Sequence, residues 1–151
     1  MMSAIIRILM GCIGSLGFGI LFNVRGKFLI LSTLGGLISI SGYELLVSAG
    51  LGDMVSCFIM ASLITLYSEF LARIVKTPTT TFIMSSLIPL VPGGALYYAM
   101  SNGLEKKWDL CFKNAYYASK IGLALSVGII LITTIIQMYF LLISANSHKR
   151  L

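Results

Sequence analysis

Five long apolar runs, separated by short charged or glycine-rich closures, constrain this chain more than any other feature of its sequence. They cover residues 3–22, closed by NVRGK; 28–48, closed by AGLGD; 54–74, with Glu69 and Arg73 near the end; 81–100; and 121–145, ending in SHKRL. A helix needs about 20 mostly apolar residues to cross a bilayer, and each run meets that length. Only 11% of the 151 residues are charged, against about 25% in a soluble domain, and mean hydropathy is +0.97. That leaves too little polar surface to cover a core in water. The expected fold is an all-α integral membrane protein, with residues 1–151 forming one transmembrane domain in contact with lipid.

Several function classes drop out on composition. The net charge of +6 does not point to nucleic acid, because the Lys and Arg residues flank apolar runs, where membrane proteins keep their anchors. Cys12, Cys57 and Cys111 follow no metal-ligand spacing, and an odd, scattered set implies neither a disulfide framework nor a zinc site. No metal or other cofactor is expected. The only histidine is His148, in the tail, and no catalytic triad, phosphate loop or paired intramembrane ligand set is present, so the chain does not read as an enzyme. MMSAIIRILMGC faintly resembles a lipoprotein signal ending at Cys12, but the apolar run continues past that cysteine, which a cleaved signal would not do. A retained first helix is expected.

Between the fourth and fifth runs, Lys106, Lys113 and Lys120 recur every seven residues, opposite Trp108, Cys111, Ala115 and Ala118. This pattern predicts an amphipathic helix over about 105–120, either on the membrane surface or as an extension of the fifth span. Gly11, Gly14, Gly17 and Gly19 in the first run, and Gly35, Gly36 and Gly42 in the second, predict close helix packing.

Charge does not fix the orientation. With five spans the basic residues divide six against five; if the fourth segment were re-entrant the division would be eight against three. The charge pattern leans to re-entrance and the length of the uncharged run from 77 to 104 leans to a span.

The fourth run contains IPLVPGG at 88–94. Pro89 cannot donate to the carbonyl of Ser85, nor Pro92 to that of Ile88, and each ring crowds the preceding turn. Gly93 and Gly94 allow a bend. In lipid an unpaired backbone group costs several kcal/mol, so such a break persists only inside protein or beside a watery cavity. Broken helices of this kind hold substrate in secondary transporters. A restarting half-helix near Gly93 offers N–H groups to a carboxylate, and freed carbonyls at Ser85 and Ile88 suit a cation. Ser85, Ile88, Pro89, Pro92, Gly93 and Gly94 are therefore candidate substrate-binding residues; a packed kink is the alternative. Glu69 and Glu44 are candidate proton carriers, because an ionisable group within a span is expensive to keep there. Arg73, four residues after Glu69, offers an intrahelical pair instead, and Glu44 lies near enough to a span end to reach water.

GFGILFN at 17–23, ending on Asn23, the glycines of the second run, FIMASLITLYSEFLARIVKTP with its Arg73, and above all PLVPG at 89–93 together resemble the small, C-terminal-half subunit of the threonine/serine exporter family. The likeness covers residues 11–101. Some members carry a proline where Arg25 stands here. The resemblance implies an exporter of threonine or serine driven by the proton gradient, in the plasma (inner) membrane, acting with a larger membrane subunit. Some family members are split in this way, and a pair linked to succinate export makes a small dicarboxylate the competing substrate. A non-transporting scaffold for the larger subunit is the alternative from another class. Further copies of this chain are a possible additional partner.

Overall fold

The computed structural model describes the backbone of residues 2–148 and the side chains of 4–142, so Lys149, Arg150 and the side chain of His148 lie outside the described residues. Six helices follow in order: α1 (Met2–Leu21), α2 (Lys27–Ser48), α3 (Asp53–Val75), α4 (Thr80–Leu87), α5 (Gly93–Leu104) and α6 (Trp108–His148). A 3-10 turn over Ile88–Leu90 connects α4 to the break. Among the described residues there is no strand. The apolar runs become helices because in lipid a helix satisfies every backbone group within its own segment. Their ends fall at the polar closures. Asn23 takes a left-handed φ of 57° and terminates α1; the amides of Asn23 and Val24 return to the Ile20 and Gly19 carbonyls, and Asn23 Oδ1 accepts from Arg25 Nε at 2.8 Å. An asparagine tolerates that backbone geometry better than most residues.

Four side-chain contacts mark the ends of the bundle. Arg7 of α1 pairs with Glu44 of α2 at 3.2 Å, and Tyr43 of α2 and Tyr117 of α6 both reach Asp53 at the start of α3. These groups mark one end. At the other, Arg73 of α3 lies 3.5 Å from the centre of the Phe140 ring of α6. The chain thus passes up and down through α1, α2 and α3, returns through α4 and α5, and leaves through α6.

Four helices are individually long and apolar enough to cross a membrane, and α4 with its turn plus α5 meets the same test as a bent pair with a 60° angle. A re-entrant loop turns its second arm back towards the side the first came from. The bend of 60° admits a broken span or a re-entrant loop, and it leaves α5 advancing rather than doubling back on α4.

The expected amphipathic helix proves to be the first part of α6, the second of the two arrangements the sequence allowed. The 41 residues of α6 run about 62 Å at 1.5 Å per residue, roughly twice the hydrocarbon thickness. Lys106 lies in the preceding turn with φ 59°, because α5 continues to Leu104, so Lys113 and Lys120 alone of the three lysines share the α6 face.

Packing follows the small residues. A Cβ on Gly36 would overlap the Ser15 side chain, and one on Gly35 would overlap the Ser86 hydroxyl, so glycine at these two positions lets α2 sit against both α1 and α4. A second core joins α3, α4 and α6 through Cys57, Met60, Ala61, Ile64, Leu87, Leu90, Ile121, Ala124 and Leu125. The large apolar side chains left outside these seams, such as Ile13, Leu45, Phe70 and Ile130, face outward as a lipid-facing surface requires.

Candidate functional site

The break resolves into two halves with different hydrogen-bond fates. On the acceptor side, the carbonyl that Pro89 deprives of a donor is satisfied from another helix: Ser15 Oγ of α1 donates to the Ser85 carbonyl at 2.8 Å. The Ile88 carbonyl, deprived by Pro92, accepts instead from the amide of Val91 at 3.1 Å. The two carbonyls expected to be free for a cation are therefore taken by the chain's own donors. Ser15, Ser85 and Ser86 are completely buried, and Ser86 Oγ donates to the Ser32 carbonyl at 3.1 Å, so Ser15 and Ser86 join this side of the break to its neighbours, while the Ser32 and Ser85 hydroxyls have no partner among the described residues.

The donor side is open. Gly93 donates to the Val91 carbonyl and Leu96 to that of Pro92, while the amides of Gly94 and Ala95 have no partner among the described residues. Nothing lies within 4 Å of where a Cβ would stand on Gly93 or Gly94. Two unpaired amides at the start of a helix carry partial positive charge and suit a carboxylate.

Two cavities flank the break. A groove of about 590 Å³ between α3, α4 and α6 is lined by the polar Glu69, Thr79, Thr80, Thr133 and Gln137 and by the apolar Leu87, Ile88 and Val91. A smaller cavity of about 160 Å³, towards the Asp53 end, is lined by Tyr43, Cys57, Tyr117 and Ile121 and by the break itself from Pro89 to Pro92, with Ala95. Val91 lines both. One turn of irregular backbone thus lies between a groove that reaches Glu69 and a cavity that reaches Tyr43 and Tyr117.

The structure brings Glu69 and Ile88 to one groove, and Pro89 and Pro92 to the other cavity. Glu69 is buried, and its carboxylate meets Arg73 Nη2 at 3.4 Å, a long contact to an arginine whose guanidinium also lies over Phe140. Glu44 stands apart from the break, bound to the exposed Arg7. Asn23 is a helix terminator, far along the chain from either cavity. Two residues outside the sequence expectations belong to this region. Ser15 looked like one more small residue in a packing run. Asp53 looked like a loop closure, yet its carboxylate accepts from Tyr43 at 3.2 Å and from Tyr117 at 2.8 Å. Among the described residues no group of His, Cys, Asp and Glu is arranged to hold a metal.

A multi-pass α-helical bundle with a bent apolar pair beside two cavities has an arrangement that secondary transporters use. The chain belongs to the family described as Threonine/Serine exporter, ThrE, whose model matches residues 7–135. That family supports amino-acid export as its activity. No curated protein and no solved structure matches the chain.

Proposed function

We propose that this chain is one subunit of a proton-coupled exporter of threonine and serine, acting in the plasma membrane with a larger membrane subunit of the same family. The observation that carries the reading is the position of Val91 between the two cavities. A substrate held at the break sits where a small movement of residues 88–92 exchanges access from one side to the other, which is what alternating access requires.

The substrate carboxylate docks on the open amides of Gly94 and Ala95. Glu69, in the lining of the groove, carries the proton and trades it against its contact with Arg73. Arg73 contacts the Glu69 carboxylate and the Phe140 ring together, so loss of the charge on Glu69 removes one of its two anchors and links proton occupancy to groove shape. Ser85 and Ile88 hold the break in register, with their carbonyls occupied, and Pro89, Pro92, Gly93 and Gly94 keep it from closing into a helix.

The open amides also support a partner. Gly93 and Gly94 are exposed within an apolar run, and backbone left bare to lipid is costly; a second membrane subunit packed there completes the site. A zwitterion is favoured over a dicarboxylate because the basic side chains within the spans are already engaged, Arg7 with Glu44 and Arg73 with Glu69. Labelled threonine uptake into everted vesicles under an imposed proton gradient tests the reading. Uptake is expected with this chain and its large partner together, absent with either alone, and lost when the gradient is dissipated. Unchanged uptake by the large partner alone would make this chain a scaffold, and uptake of succinate but not threonine would replace the substrate.

A further inference from the structure

Asp53 is half-buried at the start of α3 and has no basic side chain within 4 Å among the described residues, whereas Glu44, Glu69 and Glu105 each have one. Its two oxygens are instead held by neutral donors, Tyr43 on one and Tyr117 on the other. Hydrogen bonds from hydroxyls orient a carboxylate, and the start of α3 offsets part of its charge, but no cation neutralises it. Both tyrosines line the cavity of about 160 Å³ at the break. Each phenol that donates to Asp53 keeps lone pairs with which to accept, and each ring offers a face to a cation. Asp53 itself does not line that cavity; the two phenol oxygens that do, polarised by the carboxylate behind them, form a recognition set for a compact, hydrogen-bonding cation. A primary ammonium, with three donors, matches it. The same cavity is bounded by Ala95, whose amide is open to a carboxylate.

We propose that the phenol oxygens of Tyr43 and Tyr117, polarised by the Asp53 carboxylate behind them, bind the ammonium group of the transported amino acid, with the charge of Asp53 setting the preference for a cation; this rests on the export reading above for the identity of the ligand. The site then discriminates α-amino acids from hydroxy acids and dicarboxylates of the same size. It also assigns the two ends of the zwitterion to different elements, the tyrosines of α2 and α6 and the start of α5, so that movement of the break changes the distance between them.

The test is calorimetric binding to the full chain in lipid nanodiscs, with its larger subunit included, using three probes: threonine; threoninol, which keeps the ammonium and lacks the carboxylate; and 3-hydroxybutyrate, which keeps the carboxylate and lacks the ammonium. The unaltered protein is expected to bind threonine and threoninol and to bind 3-hydroxybutyrate about tenfold more weakly or worse, as loss of a charge-assisted contact implies. Asp53→Asn should weaken threonine and threoninol by about tenfold or more and leave 3-hydroxybutyrate unchanged, with Asp53→Glu restoring the preference in part. Tyr117→Phe should weaken threoninol by a smaller factor. Equal loss of all three probes in Asp53→Asn would overturn the assignment, because a merely structural Asp53 takes them down together; so would a wild-type preference retained in that variant, or no binding of threoninol by the unaltered protein. Asp53-dependent binding of threoninol, with no threonine flux in vesicles, would sustain the ammonium site and count against export.

Discussion

The Ser15 hydroxyl donates to the Ser85 carbonyl at 2.8 Å, the same carbonyl that Pro89 leaves without a helical donor. One helix thereby completes the hydrogen bonding of a break in another, across 70 residues of chain. The relationship explains how α4 tolerates a proline in an apolar environment. It also fixes which half of the break is available to a ligand: the acceptor half is closed from within and the donor half is left open.

Ser15→Ala should destabilise the folded protein by about 1–3 kcal/mol, the cost of a buried acceptor left unpaired. Pro89→Ala supplies the missing N–H, so Ser15→Ala made in that background should cost less than in the parent. A double-mutant cycle by unfolding in detergent micelles measures the difference. Strict additivity would mean that the two residues do not share the carbonyl.

Gly36→Ala places a methyl group where the Ser15 side chain lies. α1 must then move away from α2, at a cost of about 1–3 kcal/mol for overpacking, and the Ser15 bond to Ser85 stretches. The same change at Gly14, where nothing lies within 4 Å, should be near neutral. Equal stability of the two variants by the same unfolding assay would show that the α1–α2 seam is looser than described.

Much of the architecture was legible in the sequence because lipid imposes a simple rule on long apolar runs. The starts and ends of α2 and α3 fall within one residue of the runs read as 28–48 and 54–74. The continuity of α6 was less legible: its amphipathic first part and its apolar remainder satisfy different patterns, and no proline separates them to say whether they are one helix or two. The break was visible from its prolines. Its hydrogen-bond partner was not, because Ser15 lies in a run of small residues whose spacing signals only close packing. Asp53 was hidden for the opposite reason. A carboxylate after glycine at a loop end has an ordinary explanation as a helix start, and only the fold brings Tyr43 and Tyr117 to it from sequence separations of 10 and 64 residues.

Glu69→Gln keeps the size and hydrogen-bonding capacity of the side chain and removes its proton exchange. Proton-coupled threonine uptake should be abolished, while membrane insertion and binding of threonine persist. Coupled uptake at the wild-type rate would remove Glu69 from the mechanism and leave its contact with Arg73 as an intrahelical pair worth about 0.5 kcal/mol or less.

Pro92→Ala restores a backbone donor at 92 and lets α5 extend backwards, so that the Gly94 and Ala95 amides find the carbonyls of Leu90 and Val91. Export should fall sharply with no loss of folded protein in the membrane, because the variant is a better helix and a worse site. Full activity would make the open amides irrelevant to transport.

The central claim is that residues 88–92 are the barrier between two cavities facing opposite sides, and thiol accessibility reads it most directly. Cysteine is placed at Ile88, in the groove, or at Ala95, in the smaller cavity, in a background where Cys12, Cys57 and Cys111 are serine. A membrane-impermeant thiol reagent is then applied to right-side-out and everted vesicles, with and without threonine. The account predicts that the two positions label from opposite sides and that threonine with a proton gradient changes both rates in opposite directions. Labelling of both positions from the same side, unaffected by threonine, would contradict it.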